Sequence, residues 1–296
     1  MLKKIVIAGG TGFVGKFLTQ KFIALGYEVI IISRQTNHIN WDNISAIIAA
    51  LENATMLINL AGKSVDCRYN KKNKKEIFDS RINTTKILGE VILQCKNPPA
   101  LWINSSTATI YRHAQDRPMT ESTGEIGTGF SVNVATNWEK TFFNFTLSNT
   151  RQVALRMAIV LGKNGGVIKP IKKLVRFGLG GKQGNGNQMF SWIHIEDLFG
   201  IIIYMQQHKN LKGVFNTAAP NPVNNKTLMQ LFRKEMNTKI GLPTPAWLLK
   251  MGAVLIKTET ELVLKSRWVI PERLLQEGFN FKYKTINEAL KNILND

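Results

Sequence analysis

The sequence predicts an α/β protein: a Rossmann-type, doubly wound parallel sheet followed by a smaller, mostly helical C-terminal lobe. Three observations carry this. The chain opens on a short apolar run, Ile5-Val6-Ile7-Ala8, and passes into helical apolar spacing at Phe17, Leu18, Phe22 and Ile23. Glycines at 9, 12 and 15 stand between the two. Apolar β-branched runs then alternate with helical stretches to about residue 218, the pattern of parallel strands joined by helical crossovers.

Each glycine has a separate task in such a turn. The first allows the tight bend, the second lets backbone approach a pyrophosphate, and the third lets helix pack on strand. The anion rests on the helix N-terminus, where unpaired amides and the helix dipole favour negative charge. Gly9, Thr11, Gly12, Phe13 and Val14 are therefore the expected cradle. A second strand, Glu28 to Ser33, completes the context, and Ser33-Arg34 follows with no carboxylate before Asp42. A carboxylate there would accept from a ribose 2′-hydroxyl. A hydroxyl and a guanidinium suit a 2′-phosphate instead, so the expected cofactor is NADP(H) rather than NAD.

At 296 residues and 44% apolar content the chain can bury a sizeable core. No apolar run approaches the ~20 residues of a membrane span. The run after Met1-Leu2-Lys3-Lys4 is too short for a signal peptide, so a cytoplasmic protein is expected, with no membrane partner. Two cysteines, Cys67 and Cys95, make no disulfide framework, and neither they nor the four histidines have the spacing of a metal site. Lys+Arg 39 against Asp+Glu 20 gives a net charge of +19. The lysines are scattered, and the densest cluster, Lys71 to Lys75, lacks interleaved aromatic platforms. No nucleic-acid partner is expected; the charge reads as a solvated surface that also attracts phosphorylated ligands. Oligomeric state stays open.

Further along, a helix is expected over Ile44 to Leu51 and a strand over Met56 to Gly62. The small Ala61 and Gly62 would let a cofactor's adenosine and ribose pass along the strand's carboxyl end. A long helix, Lys71 to Gln94, is stopped by Asn97-Pro98-Pro99. Strand Leu101 to Asn104 delivers the hydroxyl-rich Ser105-Ser106-Thr107-Ala108-Thr109-Ile110-Tyr111 to the edge where such sheets do chemistry. Strand Val153 to Val160 leads into the loop 161–166. Gly178 to Asn187, rich in glycine and amides, reads as a mobile segment suited to a lid or a ligand-contacting loop. A helix from Leu198 to Met205 and a strand from Gly213 to Ala218 close the first unit. Beyond Pro220 helices predominate: an apolar face spans Trp247 to Ile256, and closing helices begin at Ser266-Arg267 and at Pro271 to Leu275. Residues 1–219 thus form the expected dinucleotide-binding domain, with 165–212 partly lining the substrate cleft, and 220–296 the substrate-side lobe.

Gly9-x-x-Gly12-x-x-Gly15 together with Ser105 to Tyr111 resembles the extended short-chain dehydrogenase/reductase superfamily, home of the nucleotide-sugar epimerases. Further segments are similar to one atypical branch, the YfcH-like "epimerase family", which carries a C-terminal extension. These are Asn59-Leu60-Ala61-Gly62 with Ser80-Arg81-x-x-Thr84, then Trp138-Glu139, Gly180-Gly181 and Ser191-Trp192-Ile193-His194, and finally Pro271-x-x-Leu274-Leu275-x-x-Gly278-Phe279. The resemblance implies that Leu60, Arg81 and Arg156 join Ala61, Gly62 and Thr107 along the cofactor, with the loop 161–166 beside the nicotinamide.

The superfamily's chemistry uses a tyrosine and a lysine four residues apart on one helical face. The lysine lowers the phenol's pKa and holds the nicotinamide ribose, while a Ser or Thr orients the substrate oxygen. The five tyrosines here are followed four residues later by Ile31, Asn73, Gln115, His208 and Asn287, so the pair is absent. Helix alignment puts Val134 at the tyrosine position and Trp138 at the lysine position, which the Trp138-Glu139 pattern favours. A shift of two would pair Thr136 with Lys140. Thr107 holds the Ser/Thr position, and Tyr111 is the candidate substitute acid; Glu139 and His194 have readier structural readings. The expected function is an NADP-dependent oxidoreductase or epimerase-like enzyme on an unknown small molecule, the alternative a non-catalytic NADP(H)-binding sensor or scaffold.

Overall fold

The computed structural model describes residues 3–163, 165–249 and 261–295. Six parallel strands form the main sheet in the order β2-β1-β3-β4-β5-β9: β1 (Lys4–Ala8), β2 (Glu28–Ile32), β3 (Met56–Asn59), β4 (Leu101–Thr107), β5 (Arg151–Met157) and β9 (Gly213–Thr217). Strand order reverses between β1 and its neighbours β2 and β3, which opens the ligand crevice beyond the carboxyl ends of those strands.

The period of two in the strands decides the layers. Ile5, Ile7, Met56, Ile58, Leu101, Ile103, Val153 and Leu155 face one core, with Leu18 and Phe22 of α1 (Phe13–Ala24) and Leu198, Ile201, Ile202 and Met205 of α6 (Ile195–Gln207). Val6, Ala8, Leu57, Trp102 and Ala154 face the other, under α2 (Ile44–Leu51), α3 (Lys71–Gln94) and α4 (Phe130–Phe143). Both faces are thus covered, as an all-parallel sheet requires.

The second lobe has its own core, in which Leu228, Met229 and Phe232 of α7 (Asn225–Glu235) pack on Ile286, Ala289, Leu290 and Ile293 of the terminal helix. Leu161, Ile168, Val175 and Trp192 join that core, so the lobe recruits chain from before residue 220. It also carries two short ladders beside its helices. β6 (Ile159–Leu161) pairs with β8 (Trp192–His194), and β7 (Met189–Phe190) with β10 (Val223–Asn224). A third helix, α5 (Ile168–Arg176), lies between β6 and β7 in the chain.

Several expected elements end differently, each for a local reason. β3 stops at Asn59 rather than Gly62 because the Asn59 side chain accepts from the Ala61 amide at 3.0 Å and turns the chain. The strand expected over Val153 to Val160 divides at Ala158, whose amide bonds to Thr217, and its second part joins β8. Ser266-Arg267 is extended, not helical: the Arg267 amide donates to Met189, and its carbonyl accepts from Ser191. The Gly178 to Asn187 loop is anchored, not loose, through the amides of Gly181, Gln183 and Gly184 to Leu242, Asn225 and Thr244. Of the apolar face expected over Trp247 to Ile256, only 247–249 lie within the described residues. No described helix is long and apolar enough to cross a membrane.

Candidate functional site

The three glycines after β1 divide their work. Gly9 has φ +77°, and a Cβ there would lie 2.7 Å from the Ala61 nitrogen, so the turn is pressed against the chain leaving β3. At Gly15 a Cβ would sit 2.6 Å from Gly10 backbone, so α1 rests on its own turn. Gly12 is exposed, and a Cβ there would meet nothing nearer than the Gly9 carbonyl at 3.8 Å. It begins α1 without a side-chain cap, and no acidic residue stands in the first turn. Open space in front of uncapped amides fits a pyrophosphate-sized anion.

The other cradle residues surround this point. Thr11 and Phe13 are half-buried, and Val14 turns into the core with Leu60. Cβ atoms on Gly162 and Gly165 would lie 2.9 and 2.1 Å from Phe13 ring carbons, so the chain at these two glycines closes over that ring. At the end of β2, Ser33 is buried and its hydroxyl accepts from the Gln35 amide at 3.0 Å, while Arg34 is exposed. Glu76 at the start of α3 is hydrogen-bonded by Lys63, and this bond, with the charges of Lys63, Lys72 and Arg34, holds its carboxyl below the usual range.

Beyond β3 a polar lattice replaces backbone geometry. Asn59 donates to Asn104 at 2.7 Å and to the Thr85 hydroxyl at 3.2 Å, which also accepts the Trp138 indole N–H at 2.9 Å. Arg81 donates through Nη1 to the carbonyls of Lys63 and Ile77 and lies over the Trp138 ring at 5.2 Å. On α4, Val134 and Trp138 are buried, whereas Thr136 and Lys140 are exposed. The inward pair is therefore Val134 and Trp138, and the shifted register points to solvent.

At the end of β4 the Thr107 hydroxyl accepts from the Thr109 amide at 3.1 Å and caps a 3-10 turn, Ala108–Ile110. Tyr111 is only 2% exposed. Its hydroxyl donates to Asn216 at 2.9 Å and accepts from Arg156 at 2.8 Å, while burial pushes the phenol's pKa up. Arg156 forks onto Glu139 at 2.8 and 2.7 Å, and Ser106 donates to the same carboxylate. Burial opposes the guanidinium's charge, but the Glu139 bonds outweigh it and raise the Arg156 pKa. Tyr111 and Arg156 thus bond to each other and to the core rather than ending in open space. Asn216 continues the chain of contacts to Glu121, its amide donating at 2.8 Å.

His194 is a satisfied cap. Nδ1 accepts from the Glu196 amide at 3.2 Å, Nε2 faces Asn292 at 3.1 Å, and Tyr283 stacks at 3.9 Å. Burial lowers its pKa to about 4, so it is neutral at pH 7. Among the described residues no cluster of His, Cys, Asp and Glu could hold a metal ion.

The buried amides Asn59, Asn104 and Asn216 and the hydroxyl of Thr85 were not singled out from sequence. A signal existed: Asn59 and Asn104 are register partners on β3 and β4, as are Ser106, Arg156 and Asn216 across β4, β5 and β9. Polar residues on strands buried on both faces need partners.

Residues 5–218 match the NAD dependent epimerase/dehydratase family, and residues 244–293 match a domain of unknown function, DUF1731. The chain is 31% identical over 296 residues to the human epimerase family protein SDR39U1, covering 98% of this chain and 99% of that one. It is 30% identical to the epimerase family protein YfhF of Bacillus subtilis, covering 99% and 98%. The crystal structure of human SDR39U1 (isoform2) with NADPH superposes with a TM-score of 0.90 over 99% of both chains at 31% identity. The chain belongs to the NAD-dependent epimerase/dehydratase family, in the form that carries the DUF1731 domain.

Proposed function

We propose that this member of the epimerase family binds NADP(H) and works as an oxidoreductase or epimerase-like enzyme whose site lacks the tyrosine and lysine pair. The observation that carries the reading is Gly12, open at the uncapped start of α1, with Ser33 and Arg34 at the end of the adjacent β2. That the human relative was crystallised with NADPH supports it. Gly9, Thr11, Gly12, Phe13 and Val14 hold the pyrophosphate, and Ser33 and Arg34 the 2′-phosphate. Leu60, Ala61, Gly62, Arg81 and Thr107 line the remainder. Residues 1–219 carry the cofactor, and 220–296 cover the substrate side.

NADP(H), when bound, supplies hydride transfer. Thr107 orients an oxygen of a small-molecule substrate. Tyr111 and Arg156, occupied by Asn216 and Glu139, position the β4 turn instead of reaching the reacting atoms. The proton then comes from solvent or substrate rather than from the phenol. Titration calorimetry tests the cofactor assignment: NADPH binds more tightly than NADH, and loss of that preference in the unaltered protein overturns it.

A second reading, a non-catalytic NADP(H) sensor or scaffold, is favoured by one observation. The helix face that bears acid and base in the superfamily the sequence resembles is here Val134 and Trp138, both buried. Incubation with NADPH and a panel of carbonyl compounds separates the two. Turnover lost in Thr107→Val supports the enzyme, and stoichiometric binding without turnover supports the sensor.

A further inference from the structure

We infer that the outer edge of the second lobe docks on an anionic lipid surface, through an apolar ledge made by Phe177, Ile240 and Leu242 and a collar of lysine and arginine around it. The inference does not depend on the cofactor reading. It replaces the expectation of no membrane partner, which rested on the lack of a membrane-length apolar run. A protein that lies on a bilayer needs no such run.

Two loops far apart in sequence build the ledge. The Leu242 amide donates to the Gly178 carbonyl at 2.8 Å, the Gly181 amide to Leu242 at 3.1 Å, and the Gly184 amide to Thr244 at 2.9 Å. A Cβ on Gly178 would lie 3.4 Å from Ile240 Cγ2, so Ile240 sits beside the residue that follows Phe177. Arg233 of α7 holds the first loop through the Gly180 carbonyl.

Loops laced in this way could turn their apolar side chains inward, and these do not. Phe177 is 71% exposed, Ile240 63% and Leu242 58%, and Trp247, three residues past Thr244, is 63% exposed. Single exposed apolar side chains are ordinary, but a contiguous group held by main-chain bonds marks a contact surface.

Charge names the contact. Lys169, Lys173 and Arg176 stand at i, i+4 and i+7 on the exposed face of α5, whose Ile168 and Val175 are buried, and the row ends at Phe177. Lys182, Lys234 and Lys239 are exposed along the two loops and their flanks. In residues 168–182 and 233–249 the only acidic residue is Glu235, whose carboxylate accepts from Asn295. A second copy of the chain, docked face to face, would bring this collar against itself. A nucleic acid offers phosphates to the lysines but nothing to the aliphatic Ile240 and Leu242. Anionic headgroups above acyl chains satisfy both, with Phe177 and Trp247 at the boundary between them.

Co-sedimentation of the full chain with vesicles tests this. The protein binds vesicles of equal parts phosphatidylcholine and phosphatidylglycerol, ignores pure phosphatidylcholine, and is released by salt. Phe177→Ser with Leu242→Ser lowers vesicle affinity about tenfold, from the apolar area withdrawn. Lys173→Glu with Arg176→Glu lowers it at least as far. Lys209→Glu with Lys212→Glu, exposed charges just before β9 at the amino ends of the strands, leaves it within about twofold. All these side chains are exposed, so thermal unfolding is unchanged throughout. Vesicle binding that survives the double serine variant belongs to the general positive charge and overturns the inference. Failure to bind either vesicle overturns it too, as does capture of single-stranded RNA in place of vesicles.

Discussion

The two ends of the crevice are made of different material. At the β1 turn the open surface is main chain at Gly12, with a turned Gly9 and a packed Gly15 behind it and few polar side chains. At the ends of β4 and β5 it is a lattice of side chains, Ser106, Glu139, Arg156, Tyr111 and Asn216, each bonded to the next. The first end can change its ligand without changing the fold. The second has its polar side chains bonded to one another.

Glu139→Gln strains this contrast most. It leaves the Arg156 guanidinium buried without its counter-charge, and a broken buried pair costs about 3–5 kcal/mol. Urea unfolding reads the loss; a stable variant with weakened NADPH binding would erase the division. His194 supplies the next effect, at the base of α6. An unfolded histidine titrates near 6.5 and this one near 4. Between those values the unfolded chain binds a proton that the native chain refuses, so stability falls as pH drops through that window, by up to about 3 kcal/mol. Unfolding at several pH values shows the slope, and His194→Gln flattens it.

The turn end answers differently. Arg34→Ala weakens NADPH by about 10- to 100-fold, the value of a charged hydrogen bond, and leaves NADH binding and unfolding unchanged. Calorimetry against both cofactors checks this. The smallest effect sharpens the contrast most. Gly12 has φ −77° and ψ 179°, open to any residue, and room for a Cβ. Gly12→Ala therefore unfolds within about 0.5 kcal/mol of the unaltered chain, while its methyl group, standing where the anion docks, lowers NADPH affinity about tenfold by titration.

The same contrast explains what could be read from the chain. Strand, glycine turn and helix are local, so β1, α1 and the Gly9, Gly12 and Gly15 roles follow from the single stretch Ile5 to Ile23. Helices α2 and α3 also begin and end where their apolar spacing and the Asn97-Pro98-Pro99 stop put them. The lattice was hidden because its members meet only in space: Tyr111 with Asn216, Ser106 with Glu139, Asn59 with Thr85. Tyr111, next to a hydroxyl-rich turn, has the chemistry of an acid in one dimension and the surroundings of a core residue in three. Arg267, expected to open a helix, runs extended because Met189 and Ser191 offer it a ladder that no local pattern announces.

Phe13 has a consequence for how the molecule is made. Its ring, at the mouth of the first turn, is covered by Gly162, Gly165 and Gly166. A ribosome releases the opening strand and helix early, yet the lid on that ring emerges only after β5 has been synthesised. The pocket's oldest segment therefore waits for chain more than halfway along before it is finished. Contacts so distant in sequence close late, so the cover over this ring belongs to the later part of folding rather than its start.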